Sequence, residues 1–322
     1  MARRALITGI GGQDGSYLAE QLLDEGYEVV GLVRPPVGRD LPLLGEAAQR
    51  IEQVSGDLSD HESLRRAVAE VEPDELYHLA APTFVPASWD EPGAVLHEIA
   101  GATAALLTAA RELRDPPRVL VATSSEIFGE AGVSPQNEES PTRPRSPYGV
   151  AKLAAHHLVG VMRRQYGLFA VSAITYNHES PRRPERFLPR KVSRGAAAIA
   201  LGLQEELVLG ALDAVRDWSH AADIMRGARM ALQAPEPNDY VFASGVGRTV
   251  RELVDAAFKA AGVSPEGRIK VDQALVRAPE ATPPVGDPSR ARELLGWEPQ
   301  ISFDEMIAEM VAADIADLRA GA

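Results

Sequence analysis

The chain of 322 residues contains no cysteine, which excludes disulfide bonds, thiol chemistry and cysteine-ligated metal sites. Positive charge is scarce, since 33 Lys and Arg residues stand against 46 Asp and Glu residues and the net charge is -13. A general nucleic-acid binder needs a basic surface, so we expect no nucleic-acid partner. The apolar run Ala5–Ile7 is too short for a signal peptide or a membrane span. We therefore expect a cytoplasmic protein without a membrane anchor, and no spacing of His, Asp and Glu suggests a metal site.

Apolar strands alternate with amphipathic helices over the first 176 residues. The predicted strands are 5–8, 27–33, 75–80, 118–123 and 170–175, and the predicted helices are 17–26, 61–71, 93–113 and 147–166. Hydrophobic residues make up 45% of the chain, enough for a packed core. The alternation predicts an α/β fold of the Rossmann type, a doubly wound parallel sheet that is covered on both faces.

The pattern changes after Tyr176. Residues 177–194 are rich in Pro and Arg and show no clean period, whereas later segments predict strands at 207–209 and 240–243 and helices at 221–233, 249–261 and 303–318. We predict a dinucleotide-binding domain formed by residues 1–176 and 218–246. The remaining residues, 177–217 and 247–322, are predicted to form a smaller mixed lobe that binds the substrate.

A glycine loop lies between the first predicted strand and the first predicted helix, with Gly9, Gly12 and Gly15 three residues apart. In that context glycines permit a tight turn and let a pyrophosphate approach the helix N-terminus. Arg34 follows the second strand, at the position where an acidic residue would bind the 2′-hydroxyl of NAD. An Arg there is suited to the 2′-phosphate and favours NADP, and the alternative is an ordinary surface Arg. Asp57 is expected either near the adenine or in a turn that precedes the helix starting near Asp60.

Four polar residues predict an acid–base site. Tyr148 and Lys152 share one face of a predicted helix, and a nearby ammonium would lower the pKa of the phenol so that it could act as a base. Ser124 follows the strand 118–123 at the sheet edge where ligands of such folds bind. Glu126 adds a second acid or base, although a solvated loop carboxylate is the alternative interpretation.

With these motifs in place, the chain resembles the extended short-chain dehydrogenases/reductases, and within them the GDP-mannose 4,6-dehydratase family. The resemblance extends from Ile7 to about Met310. It is carried by the segments 12–20, 123–129, 144–148, 177–183, 216–221 and 286–288, of which 177–183 (Asn-His-Glu-Ser-Pro-Arg-Arg) is the most specific.

The resemblance implies a three-step reaction on a nucleotide sugar. Tyr148, with Lys152 and Ser124, removes the proton of the sugar 4-hydroxyl while hydride passes from C4 to NADP, with NAD as the alternative cofactor. Glu126 then removes the C5 proton and helps to expel the 6-hydroxyl as water. Hydride returns to C6, and GDP-mannose becomes a 4-keto-6-deoxy sugar. Plain 4-epimerases resemble this chain but lack a Glu at position 126.

The resemblance also implies the ligand contacts. The cofactor contacts are Gly9, Gly12, Gln13, Asp14, Gly15, Arg34, Asp57, Leu58, Leu79, Ala80, Ala81, Tyr148, Lys152, Asn177, His178 and Arg183. The substrate contacts are Thr83, Ser88, Ser125, Asn177, Lys191, Arg216, Arg277 and Glu280. His178 could equally be a hydrogen-bonded structural residue, and the basic segment 182–194 could bind a diphosphate or be a solvated surface run.

Several positions depart from the family pattern. Pro82–Phe84 replaces a Gln-Ser-His pattern next to the expected sugar and nicotinamide, and Ser124 replaces a Thr. The loop after Arg34 lacks the residues that reach a neighbouring subunit in the family, so we expect a homodimer through helices 93–113 and 147–166, with a tetramer as the alternative. The competing functions are a 4-epimerase or 4-reductase, a dehydratase of another nucleotide sugar, and a noncatalytic cofactor-binding regulator.

Overall fold

The computed structural model describes residues 2–276 and 282–321. The strands are β1 (Arg4–Thr8), β2 (Glu28–Val33), β3 (Glu52–Ser55), β4 (Glu75–His78), β5 (Arg118–Ala122), β6 (Ala170–Thr175), β7 (Asn177–Glu179), β8 (Leu207–Leu209), β9 (Val215–His220), β10 (Asp239–Phe242), β11 (Gly247–Thr249) and β12 (Ile269–Val271). The α-helices are α1 (Gln13–Asp24), α2 (His61–Val71), α3 (Pro92–Leu96), α4 (Ala102–Glu112), α5 (Pro147–Tyr166), α6 (Leu188–Ala200), α7 (Ala221–Gln233), α8 (Val250–Ala261), α9 (Ser289–Leu295) and α10 (Phe303–Ala320). Short 3-10 turns occupy Pro42–Arg50, Val85–Trp89, Ser125–Ile127 and Gln273–Leu275, and a π-turn at His97–Gly101 joins α3 to α4.

A seven-stranded parallel sheet in the order β10-β6-β5-β4-β1-β2-β3 forms the larger part of the fold. Successive residues of each strand point to opposite faces, so Ile7 packs on the side of α1 and α7 while Leu6 packs on the side of α2 and α4. The predicted doubly wound Rossmann-type sheet is confirmed. Its carboxyl edge gathers the segments that follow β1, β4, β5 and β6.

The smaller part of the fold is mixed. A three-stranded sheet in the order β11-β9-β7 and a two-stranded sheet of β12 and β8 surround a core shared by α6, α8 and α10. Trp218 and Phe258 are buried in this core. The chain returns to the large sheet at β10, which pairs with β6. The assignment of residues 177–217 and 247–322 to a substrate lobe stays a prediction.

Several elements differ from the sequence expectations. The predicted helix 93–113 is divided by the π-turn, and the unpredicted elements include β7, β9, β11, β12 and α9. Helix α1 begins at Gln13 rather than at residue 17, because the glycine loop itself supplies the first helical turn. Strand β3 was not predicted, since it is a four-residue edge strand with Val54 as its one buried residue. Helix α6 lies partly inside the segment 177–194, where buried Arg190 obscures the apolar period by ion pairing with Asp314.

One helical run, Pro92–Glu112, is long and apolar enough to cross a membrane by length and composition. Half of that run is buried. Its α4 segment packs against α2 and α5, and Ala102, Leu106 and Ala110 belong to the core on that face of the sheet. These contacts account for its apolar composition as a core helix.

Candidate active site

The glycine loop holds its shape through contacts that leave no room for side chains. The Gly12 N–H donates to the Gly9 carbonyl at 2.9 Å. A Cβ on Gly15 would lie 2.2 Å from that same carbonyl oxygen, and Gly9 has a φ of +79° with its backbone against Ala80. Gly12 is the N-cap of α1 and provides no side-chain cap, so N–H groups of the first turn remain for an anionic ligand.

Thr8 and His78 fix the neighbouring strand end, and sequence reasoning missed both. The Thr8 hydroxyl accepts the N–H groups of Leu79 and Ala80, each at 3.1 Å, and therefore donates to His78 Nδ1 at 2.8 Å. Burial, reinforced by the charge of Lys152, lowers the pKa of His78 to about 3, so the imidazole is neutral. Thr8 and His78 end two adjacent parallel strands in register, which is the signal that could have identified the pair.

Asp14 and His178 connect the glycine loop to β7. His178 Nδ1 donates to the Tyr176 carbonyl at 2.7 Å, and His178 Nε2 donates to Asp14 Oδ2 at 2.9 Å. Both ring nitrogens face acceptors, which requires the doubly protonated imidazolium. Burial opposes this charge, but Asp14 outweighs it and raises the pKa of His178. Gln13 strengthens the connection by donating to the His178 carbonyl and accepting from the Ser180 hydroxyl.

Tyr148 and Lys152 lie on the buried face of α5, as their spacing predicts. Lys152 Nζ is 5.8 Å from the centre of the Tyr148 ring and donates to the Ala122 carbonyl at 2.6 Å. Burial lowers the pKa of Lys152 to about 8. The expected lowering of the Tyr148 pKa is wrong for this structure: burial raises it, and a hydrogen bond with Ser124 offsets the rise only in part. The buried site therefore favours the neutral phenol over the phenolate.

Glu126 lies next to this pair. Ser124 accepts the Glu126 N–H at 3.2 Å and so begins the short turn Ser125–Ile127. The Glu126 side chain is exposed, yet its negative charge contributes to the raised pKa of Tyr148. Ser124, Glu126, Tyr148 and Lys152 are thus brought together from β5, a turn and α5 into one electrostatically linked group.

The remaining predicted cofactor contacts follow strand ends. Leu79, Ala80 and Ala81 extend from β4 toward the glycine loop, as the Thr8 contacts show. Asp57 accepts the Ser59 N–H and hydroxyl in a turn before α2, whereas Asp60 caps that helix. Hydrogen bonds from Ser59 and the charge of Arg34 lower the pKa of Asp57. Arg34 itself is exposed, and Leu58 beside Asp57 is half-buried against the core of α2.

The predicted substrate contacts are more scattered. Asn177 and Arg216 lie on the paired strands β7 and β9, with Asn177 in register with Trp218. Lys191 is exposed on α6 and lines a pocket with Arg194 and Leu207. Thr83 and Ser125 are half-buried beside β4 and β5. Ser88 is buried and its hydroxyl donates to the Val85 carbonyl. Arg277 and Glu280 lie outside the described residues.

The basic segment 182–194 is mostly occupied by ion pairs. Arg182 Nη2 donates to both Glu20 carboxylate oxygens at 2.8 and 2.9 Å, and Arg190 donates to buried Asp314 at 2.8 Å. Arg183 contacts Glu179 at 3.1 Å. A plain solvated surface run therefore does not describe this segment, because Arg182 ties it to the glycine-loop helix and Arg190 ties α6 to α10.

Comparisons with known proteins agree over nearly the full chain. A family profile described as GDP-mannose 4,6 dehydratase matches residues 6–310. GDP-mannose 4,6-dehydratase of Yersinia enterocolitica is 40% identical, with 97% of this chain and 94% of that protein covered. GDP-mannose 4,6 dehydratase 1 of Arabidopsis thaliana is also 40% identical, with 97% and 89% covered. Among solved structures, RMD from Pseudomonas aeruginosa complexed with NADPH is 26% identical with a TM-score of 0.83, and 98% of this chain and 100% of that chain are covered.

Proposed function

The chain belongs to the GDP-mannose 4,6-dehydratase family, and from that membership we propose that it is a hydro-lyase that converts GDP-mannose to GDP-4-keto-6-deoxymannose. The observation that carries the proposal is the presence of Glu126 beside Tyr148. A dehydrogenase site alone exchanges hydride, whereas loss of water from C5 and C6 needs an additional acid or base. Relatives at about 40% identity over most of the chain are GDP-mannose 4,6-dehydratases by name.

A nicotinamide cofactor fits the site. Gly9 and Gly15 leave no room for a side chain, and the first turn of α1 offers N–H groups to a pyrophosphate. When bound, the cofactor would take hydride from the sugar C4 and return it at C6. Related structures hold NADPH or NAD, the latter in UDP-glucose 4-epimerase of Thermus thermophilus. We propose NADP because exposed Arg34 at the end of β2 is suited to a 2′-phosphate.

Each catalytic side chain has a distinct task in the proposal. Tyr148 accepts the proton of the 4-hydroxyl, and Ser124 orients that hydroxyl through its hydrogen bond with the phenol. Lys152 supplies a positive charge beside the phenol ring. Glu126 removes the C5 proton, which the neighbouring ketone has acidified, and delivers a proton to the departing 6-hydroxyl. The proton held by Tyr148 would pass to C5 when hydride is returned at C6, so the reaction consumes no net cofactor.

A 4-epimerase or 4-reductase is the second candidate. The departure of Pro82–Phe84 from the family pattern favours it, because this segment follows β4 next to the expected sugar and nicotinamide. In the structure, Phe84 of this segment contacts Phe187. Glu126 opposes this alternative, since C4 chemistry alone gives a loop carboxylate no task.

We also propose a cytoplasmic homodimer formed through α4 and α5. Val150, Val161 and Tyr166 on α5 are about half exposed, at 45%, 47% and 52%, and a second copy would cover them. Analytical ultracentrifugation of the wild type and of Val161→Glu tests this: a dimer that becomes monomeric in the variant supports the interface. A monomeric wild type would contradict it.

Mass spectrometry of GDP-mannose incubated with the purified protein and trace NADP tests the activity. We expect the sugar nucleotide to lose one water without accumulation of NADPH. Glu126→Gln should abolish water loss, and Glu130→Gln, on the same loop but paired with Arg145, should not. Unchanged GDP-mannose with cofactor bound would exclude this substrate and lead to trials of other nucleotide sugars.

A further inference from the structure

Two aromatic rings and two guanidinium groups meet where the segment after β4 contacts the segment before α6. Phe84 and Phe187 pack edge to face with ring centres 6.0 Å apart. The Arg183 guanidinium lies 3.6 Å from the centre of the Phe187 ring. Arg186 lies 5.6 Å from Phe84 and 5.4 Å from Phe187. We call these four residues the aromatic clamp.

The clamp is anchored on both sides of this contact. Phe84 leads into the Val85–Trp89 turn, and Val85 packs against the apolar cluster that contains Tyr148, Val95 and Ile99. On the other side, Phe187 stands at the N-cap of α6. Leu188 follows it and packs against the core of the smaller part of the fold. The Phe84–Phe187 contact therefore links the surroundings of Tyr148 directly to α6.

Arg183 is the clamp residue whose charge acts on Tyr148. Phe187 covers one face of its guanidinium and Glu179 contacts its Nε at 3.1 Å, which leaves the Nη edge for an anionic ligand. Its positive charge acts on Asp14, His178 and Tyr148. A guanidinium held flat against an aromatic ring loses little rotational freedom when it binds a phosphate.

We propose that Phe84 and Phe187 are positioning residues that hold Arg183 against the bound cofactor and so retain the cofactor through the catalytic cycle. The inference rests on the proposed function, because a dehydratase must keep the reduced cofactor until hydride returns to C6. Phe84 gives the clamp its connection to the large sheet, and it stands where the resemblance to the family leads one to expect His. The clamp is therefore a property of this chain's own sequence.

The test measures the dissociation constant and release rate of NADPH by its fluorescence, with NADH as the second probe. Phe187→Ala should raise the NADPH dissociation constant roughly fivefold, the size of one well-placed cation–π contact. Phe84→Ala should speed NADPH release, and Phe187→Tyr should restore wild-type binding because it keeps the ring face. Trp89→Ala is the matched control: Trp89 ends the same turn as Phe84 and is 63% exposed, so binding should change less than about twofold.

A double-mutant cycle separates positioning from a general loss of structure. In an Arg183→Ala background, Phe187→Ala should cause no further loss of NADPH affinity. An equal loss with and without Arg183, or a wild type that retains neither NADPH nor NADH, would overturn the proposal. If the wild type binds NADPH through the clamp but leaves GDP-mannose unchanged, the proposed dehydration fails and the clamp stands.

Discussion

Replacement of Asp14 by Asn tests the charged state of His178, on which the link between the glycine loop and β7 depends. In the structure, His178 donates to a backbone carbonyl and to the Asp14 carboxylate at once. The side-chain amide of the variant could instead donate an N–H to a neutral His178 Nε2. Asp14→Asn therefore keeps the shape of the contact and removes the charge pairing.

The size of the effect follows from the Asp14 pKa. Burial alone would raise it, but the charge and hydrogen bond of His178 outweigh burial and lower it from 3.8 to about 2. That difference corresponds to about 2 kcal/mol of folding stability. The raised pKa of His178 describes the same contact from the other partner, so the two contributions are not added.

The stability contributed by this pair depends on pH in opposite directions for Asp14 and His178. Because the Asp14 pKa is depressed, its contribution is complete above pH 3.8 and is lost as the pH falls toward 2. Because the His178 pKa is raised above 6.5, its contribution is complete below that value and is lost as the pH rises through the folded-state pKa. The pair is therefore fully charged between these limits, and the penalty of Asp14→Asn should be largest there.

Urea denaturation at pH 5.5 and pH 8.5 measures this difference. We expect Asp14→Asn to lower the free energy of unfolding by about 2 kcal/mol at the lower pH and by less at the higher pH. Asp24→Asn, at the exposed end of the same helix, is the control and should change stability little at either pH. An equal loss at both pH values would refute the assignment of a charged His178.

Three further outcomes follow from the site. Tyr148→Phe should lower kcat by about 10²- to 10⁴-fold, since it removes a proton-transfer group. Circular dichroism should show that the fold is retained, and near-normal turnover would exclude Tyr148 as the base. Arg34→Asp should reduce the preference for NADPH over NADH by roughly tenfold or more in fluorescence titrations, and an unchanged ratio would leave Arg34 a surface residue. Gly15→Ala places a Cβ 2.2 Å from the Gly9 carbonyl oxygen. It should lower the free energy of unfolding by about 1–3 kcal/mol and weaken cofactor binding. The control is Gly93→Ala, whose Cβ would have nothing within 4 Å and which should lower the melting temperature little.

The sequence predicted the parts of the fold in which local pattern and burial agree. Helix α5 and strand β6 have the predicted bounds because each is bordered by a clear break, Pro147 at one end of the helix and Gly167 at the other. Helix α2 begins after Asp60 as expected, with the side chain capping the Ser63 N–H. In these elements, the residues that decide the boundary are adjacent in the chain.

Contacts between distant residues were beyond prediction from periodicity. Asp14 and His178 are 164 residues apart, and nothing in either neighbourhood indicates that their charges meet. The same holds for Arg190 and Asp314, whose pairing makes a charged residue part of a buried helix face. Motifs predicted Ser124, Glu126, Tyr148 and Lys152 but not Thr8 or His78, and the protonation of all these groups depends on a fold that only the structure supplies.

The raised pKa of Tyr148 shows why these distant contacts matter for the proposed chemistry. Burial and the charge of Glu126 both favour the neutral phenol, while Ser124 and Arg183 favour the phenolate. The proposed reaction needs the phenolate and the Glu126 carboxylate in one site, a combination that like charges oppose. Positive charge must therefore be held close to Tyr148, and Lys152 and Arg183 are the described groups that supply it. Phe187 and Glu179 hold Arg183 in place. The pKa of Tyr148 on α5 therefore depends on the position of Arg183, which lies in the segment before α6.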